Sequence, residues 1–404
     1  MRVAHVSDCF PPRTGGIESQ VHDLAVNQAR SGHDVHVLTA TGAGASAVGR
    51  PGAGRATSRE ADGITVHRLS TPLTLGVPVH PLERPLLRQE LRRLRPDVVH
   101  VHAGVVSPFA YAGARAARAL DLPLAVTWHC MLDGIAPVYR AGARLTGWSR
   151  APLAASAVSG AAGKRVAEVL GRTPGEILVV PNGLDVDAWV PHDPGGEAGL
   201  PPLPPGGVLR VVATQRLAPR KRPVQLLRVV AEVHERLGRD ASGAPRVHLT
   251  LIGAGPAEAA LRAEVARRRL GDVVELTGKL PRTELTARYA REHVFVAPAR
   301  LEAFGIAALE ARAAGLAVVA GRGTGVSEFV RDGVDGLLTP DRGDGLDDAA
   351  ADAALADALE RLATEAGLLG RILAHNRAVP PAAAWPDVLG AAEALYDRAR
   401  ALHR

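Results

Sequence analysis

The chain has 404 residues, enough for two or three ordinary domains, and 47% apolar with 22% charged residues is a globular composition. A net charge of +6 and a pI near 9.9 favour anionic partners without naming one. Two cysteines, Cys9 and Cys130, are too few for a disulfide framework or a zinc pattern and fit a reducing cytosol. The N-terminus enters a strand pattern with no signal-peptide core, and no apolar run is long enough to span a bilayer. A cytoplasmic protein is expected, with membrane contact limited to a peripheral one at the inner face of the cell membrane.

Residues 2–7 read as a strand, followed by a loop and a helix from about Ile17 to Ser31. Gly15 and Gly16 at the helix start allow close backbone approach to a ligand and positive φ, or make a tight turn with no ligand. The loop is not a G-x-G-x-x-G fingerprint. Asp34 to Thr39 reads as the second strand, residues 42–56 as a mobile loop, and Ile64 to Arg68 as a third strand. Over residues 82–95, Leu82, Leu86, Leu87, Leu91 and Leu94 fall on one helical face, and arginines decorate the rest. That basic face is either a solvated surface or a surface for anionic lipid.

Asp97 to Val101 is another strand, with His100 and His102 on one side of it. Two histidines at this spacing make a metal conceivable, but no further cysteine or carboxylate stands at ligand spacing, and no metal is expected. His102 is expected at a strand end facing a cleft. Leu124 to Trp128 is again a strand, ending in His129, which is either a hydrogen-bonded loop histidine or one that faces a ligand. Gly160-Ala-Ala-Gly163-Lys164 is too short for a P-loop and lacks the Ser/Thr after the lysine. Ile177 to Pro181 reads as a strand and Asn182-Gly183 as a turn.

Residues 191–207 are crowded with proline and glycine and form the best linker in the chain. Strand–helix alternation then restarts with Leu209 to Thr214, a helix from Val224 to Gly238, and Val247 to Ile252. Two runs of βα units imply two doubly wound α/β domains, 1–190 and 208–375, facing a central cleft, with ligands at the carboxyl ends of the strands. Loop 215–222 carries Arg216 and Lys221, a diphosphate grip or a basic solvent loop. Gly253-Ala-Gly255-Pro256 imitates half a dinucleotide fingerprint, with Glu275 some twenty residues on. It keeps an NAD-dependent oxidoreductase open as an alternative. Residues 341–368 read as an amphipathic helix and Trp385 to Leu402 as the last one.

The most informative stretch is Val294 to Ala311. A short strand ends at Pro298, a loop carries Glu302, Gly305 opens an alanine-rich helix, and Glu310 lies within it. A helix N-terminus holds phosphate through unpaired N–H groups and a partial positive charge, and two carboxylates can hold sugar hydroxyls. Together they suggest a sugar nucleotide.

Glu302 and Glu310, with Phe304-Gly305-Ile306 between them, resemble the signature of the retaining glycosyltransferases of family 4, which have the GT-B fold. Gly15-Gly16 resembles that family's N-terminal glycine loop, on the acceptor side and against the diphosphate. Arg216 and Lys221 match its diphosphate-gripping pair, although Gln215 and Arg222 stand where the family has glycine. The resemblance implies that the N–H groups of Gly305 and Ile306 hold the diphosphate. It further implies that Glu310 holds the ribose, that Glu302 holds the sugar ring, and that His129 lies near the reacting carbon. Gly253 and Leu280 would seat the base, and Pro181 to Asp185 would shape the cleft floor. Residues 376–404 would cross back onto the first domain. The implied reaction moves a hexose from a nucleotide-diphosphate sugar, GDP-mannose first and a UDP-sugar next, to a hydroxyl acceptor, lipid-linked or on a cell-envelope glycan. No cofactor, metal or nucleic acid is implied. A non-catalytic sugar-nucleotide-binding protein stays open beside it.

Overall fold

The computed structural model describes residues 1–13, 15–42, 54–60, 62–70, 83–133, 136–145, 147–190, 203, 206–340 and 345–403. The 191–207 linker and the 42–56 loop therefore fall largely outside the described residues, as does Leu82. The chain forms two compact units, Met1–Gly183 together with Ala383–Arg404, and Leu184–Ala382.

The first unit holds a sheet of β1 (Arg2–Ser7), β2 (Asp34–Thr39), β3 (Gly54–Arg59), β4 (Thr65–Ser70), β5 (Val98–Ala103), β6 (Leu124–Trp128), β7 (Ala154–Ala157) and β8 (Leu178–Val179). Their order is β3-β4-β2-β1-β5-β6-β7-β8, parallel except for β3 against β4. Crossover helices are α1 (Gly16–Arg30), α2 (Glu83–Leu94), α3 (Pro108–Ala119), α4 (Ala136–Leu145) and α5 (Gly160–Leu170). One sheet face buries Val21, Ala25, Val35, Val37, Ile64 and Val66. Further along the same face lies the C-terminal helix, Trp385–Ala401, whose Val388, Ala392, Leu395 and Tyr396 cluster with Val3, Val98, Ala125 and Ala154. Each fully buried Leu or Val contributes roughly 1.5–3 kcal/mol of transfer free energy, so this helix is integral to the unit. The arginine-rich α2 buries Leu87, Leu91 and Leu94, which gives its apolar face a core role.

Two local readings change. Gly54–Arg59 is a strand, paired antiparallel from Gly54↔Ser70 to Arg59↔Thr65. Its residues show no apolar alternation, because an edge strand held by ladder hydrogen bonds needs none. Asn182-Gly183 makes no turn. The glycine is needed for room, since a Cβ there would lie 2.7 Å from the Trp385 ring. The Gln20 amide clamps Gly183, donating to its carbonyl and accepting from its N–H, both at 3.0 Å.

The second unit holds β9 (Leu209–Thr214), β10 (Val247–Ile252), β11 (Val274–Gly278), β12 (Val294–Ala297), β13 (Ala317–Gly321) and β14 (Gly336–Thr339), all parallel, in the order β11-β10-β9-β12-β13-β14. Its helices are α6 (Pro223–Leu237), α7 (Glu258–Arg268), α8 (Arg282–Tyr289), α9 (Ile306–Ala313), α10 (Asp348–Thr364) and α11 (Leu368–Ala378). Leu226 and Val230 of α6 and Leu355 and Leu359 of α10 join the strand core. A buried polar staple ties α9 and α11 to the loop before β14. Arg312 donates to Asp335 at 2.6 Å and to the Asn376 carbonyl at 3.1 Å, and Asn376 donates to the carbonyls of Leu316 and Asp335. Removing one member strands a buried charge. Asp335→Ala is expected to lower the unfolding free energy by about 3–5 kcal/mol, read from the urea midpoint; a change within error would show the staple to be idle.

Candidate active site

In the second unit the chain runs from β9 through β10 to β11 on one side, then returns to β12 on the other side of β9. The loops after β9 and β12 therefore leave the sheet in opposite directions and open a crevice at the strand ends, the place where such sheets bind ligands. Lys221, from the first loop, and Glu302, from the second, meet there, with Nζ 2.5 Å from Oε2. Both side chains are about four-fifths covered, at 21% and 18% exposure. Arg216, earlier in the first loop, is exposed.

The two departures from glycine in loop 215–222 have physical explanations. Arg222 sits in the left-handed region at φ 57 and caps α6, whose first residue is Pro223. The strain is offset by a bidentate ion pair to Asp352 of α10, at 2.7 and 2.9 Å. The glycines that meet Gln215 stand on the next loop instead. A Cβ at Gly253 would lie 1.9 Å from the Gln215 carbonyl oxygen, and one at Gly255 would lie 2.5 Å from that of Leu217. The half-fingerprint at 253–256 is thus a seam between two loops, which removes the observation that favoured an oxidoreductase. Leu280 follows β11 on the next strand end, where the Gly278 carbonyl accepts from Gly253 N–H at 2.8 Å.

Gly305 precedes α9 with φ 94, and a Cβ there would lie 2.6 Å from Val326 Cγ2, so no other residue fits. The Gly305 carbonyl accepts from Ala308 and Leu309, so the N–H groups before Ala308 lie ahead of the intrahelical ladder. Phe304 is buried against Phe329, with ring centroids 5.4 Å apart, and Ile306 is half-buried. Gly325 N–H donates to the Glu302 carbonyl at 2.8 Å, bracing the acidic loop from behind. Glu310, one turn into α9, lies close enough to Tyr289 for its charge to help push the buried phenol upward, burial being the larger cause. Tyr289 in turn donates to Thr214 Oγ1 at 3.0 Å. Sequence reading missed Tyr289, Asp352 and Val326, because each acts only through contacts across the fold.

The first unit has the same topology, with a switch point between β1 and β5. Gly15 is extended, at φ 173, and Gly16 is the first residue of α1, so neither uses the positive φ expected of them. Arg13 and Glu18 pair across them at 3.1 Å. His5 on β1 stands in register with His100 on β5, and His102 with Thr127 on β6. His102 bridges His5, at 2.9 Å, and His129, at 3.0 Å. His102 and His129 also line a small cavity with Gln20, Thr127, Asn182 and Trp385.

His5, His100 and His102 bring ligand atoms within 4.8 Å of one another, a spacing a metal could use. Both ring nitrogens of each already have a hydrogen-bond partner, so an ion would have to displace bonds in this network. Burial holds His5 and His129 down to about 4, and His100 and His102 well below their ordinary value. All four are neutral at pH 7.

Two family models match the chain: Glycosyltransferase Family 4 over residues 14–188 and Glycosyl transferases group 1 over residues 203–365. A GDP-mannose-dependent alpha-(1-6)-phosphatidylinositol monomannoside mannosyltransferase of Mycolicibacterium smegmatis is 30% identical over 91% of this chain and 92% of its own length. A phosphatidylinositol N-acetylglucosaminyltransferase component of Arabidopsis thaliana is 27% identical, over 99% of this chain and 82% of its own. Among solved structures, HepE of Anabaena in complex with UDP and glucose shares the fold at a TM-score of 0.69. It is 18% identical, with 98% of each chain covered. The two mainly parallel sheets in separate units have the GT-B architecture of these structures, and the two family models make the chain a glycosyltransferase. The chain belongs to glycosyltransferase family 4.

The neutral histidines set a pH dependence. Their folded pKa values lie below the unfolded 6.5, so the unfolded chain takes up protons first as pH falls. Their contribution is complete above pH 6.5 and drains away between about 6.5 and 4. Each histidine contributes up to about 1.4 kcal/mol per pH unit in that window. Urea midpoints are expected to fall over it. A flat profile would contradict the neutral cluster.

Proposed function

We propose that this protein is a retaining hexosyltransferase that takes its sugar from a nucleotide diphosphate, with GDP-mannose as first donor, and delivers it to a hydroxyl of a lipid-linked acceptor. The observation that carries the reading is the convergence of Lys221, Glu302 and the Gly305-led helix start at one switch point. As the glycosidic bond breaks, negative charge builds on the departing diphosphate. Arg216, Lys221 and the peptide N–H groups of Gly305 and Ile306 neutralise it in place, with no divalent metal taking part. Lys221 meanwhile leaves Glu302 for the phosphate and frees that carboxylate for the sugar hydroxyls. Glu310 accepts the ribose hydroxyls. The acceptor attacks from the face the diphosphate leaves, and a diphosphate oxygen takes its proton. Configuration is therefore kept without a protein nucleophile; a trapped glycosyl ester on Glu302 would overturn this.

The donor and acceptor rest on the near full-length relatives named for phosphatidylinositol and GDP-mannose. Among the described residues no helix is long and apolar enough to cross a membrane, so a cytoplasmic protein with a peripheral contact is proposed. The test is release of nucleoside diphosphate from GDP-mannose, UDP-glucose and UDP-N-acetylglucosamine in the presence of phosphatidylinositol lipids and EDTA. GDP release is expected, and Arg216→Ala should cut turnover on the order of a hundredfold or more. Undiminished turnover in that variant, or activity only with added metal, would contradict the assignment.

A further inference from the structure

A continuous hydrogen-bonded chain runs through the interior of the first unit. It begins at the Val126 carbonyl, 3.3 Å from Ser156 Oγ, and passes to Thr127 Oγ1 at 2.6 Å and His100 Nε2 at 2.7 Å. His100 Nδ1 meets the Tyr396 hydroxyl at 2.9 Å, and that hydroxyl meets the Gln28 amide nitrogen at 2.8 Å. The Gln28 carbonyl oxygen lies 2.7 Å from His5 Nε2. His5 Nδ1 then meets His102 Nε2 at 2.9 Å, and His102 Nδ1 meets His129 Nε2 at 3.0 Å. Strands of the sheet, α1 and the C-terminal helix all contribute to it.

The direction of every bond follows from its first member. A carbonyl only accepts, so Ser156 donates its single proton there and must accept from Thr127. Thr127 has then used its proton and accepts from His100 Nε2–H. A neutral imidazole carries one proton, so His100 Nδ1 accepts from Tyr396. The phenol oxygen accepts from the Gln28 N–H, which turns the amide carbonyl to His5 and makes His5 Nε2 a donor. His5 Nδ1 accepts from His102 Nε2–H, and His102 Nδ1 accepts from His129 Nε2–H.

We infer that this chain fixes His129 in the Nε2–H form, with Nδ1 as its remaining polar atom and an acceptor only. Tyr396, Gln28, His5 and His102 are positioning residues that act through it. A ring presenting a bare nitrogen accepts from hydroxyl groups and repels phosphate oxygens. His129 would therefore accept from a sugar hydroxyl and disfavour a phosphate oxygen. That consequence rests on the transferase reading above; the tautomer does not.

The test uses the full chain with 15N-labelled histidine and no substrate, in long-range 1H–15N spectra at neutral pH. His5, His100, His102 and His129 are all expected as single Nε2–H tautomers. Tyr396→Phe releases the Gln28 amide to turn either way, and His129 is then expected to average between two tautomers. Should that variant fail to fold, Ser156→Ala removes the anchor and carries the same expectation. A wild-type His129 protonated on Nδ1, a tautomer unchanged in the folded variants, or ring nitrogens occupied by a co-purified metal would each overturn the inference. None of these outcomes depends on transferase activity, so the result separates this inference from the function proposed for the site.

Discussion

The second unit is organised by an ion pair across a gap that the topology makes unavoidable. Because β9 is laid down first and flanked on both sides by later strands, the loops after β9 and β12 must part. Lys221 and Glu302 span that parting at 2.5 Å. Around them the backbone is held from beneath: Gly253 and Gly255 fit under loop 215–217, and Gly325 braces the acidic loop. The pair is largely but not fully covered, so it keeps a defined geometry while both groups stay within reach of solvent. A fully exposed pair would be weakly ordered, and a fully buried one costly to open.

The first unit repeats the topology with different chemistry. Its switch point is lined by neutral imidazoles whose nitrogens are occupied by one another and by Gln28, Tyr396 and Thr127. Desolvation keeps the rings uncharged, and hydrogen bonding makes their burial tolerable. One unit of this glycosyltransferase therefore offers fixed positive charge and peptide dipoles, and the other offers oriented neutral groups. The same topology carries two different sets of polar groups because a fold does not fix the chemistry placed on it.

Much of this was legible in the sequence. β9, β10 and β12 were readable because doubly buried parallel strands are near-continuous apolar runs, and their bounds agree with Leu209–Thr214, Val247–Ile252 and Val294–Ala297. Glu302, Gly305 and Glu310 stood out because a glycine at a strand-to-helix junction between two acids is an unusual local pattern. What stayed hidden is non-local. β3 exists through pairing to β4, and nothing in Gly54–Arg59 announces it. Asn182-Gly183 carries turn chemistry but is shaped by Trp385, some two hundred residues away. Arg222 in the left-handed region could not be foreseen without Asp352. Tyr396 reads as one more apolar position of the last helix, and its hydrogen bonds to His100 and Gln28 appear only in three dimensions.

The central claim is that the second unit's switch point holds a diphosphate by fixed cations and peptide N–H groups. The most direct measurement is a crystal structure of the protein with bound GDP, grown in EDTA. The account predicts the β-phosphate within hydrogen-bonding distance of the Ile306 N–H and of Lys221 Nζ, with the Lys221–Glu302 contact opened. A diphosphate bound elsewhere, or one bound while Lys221 still grips Glu302, would contradict it.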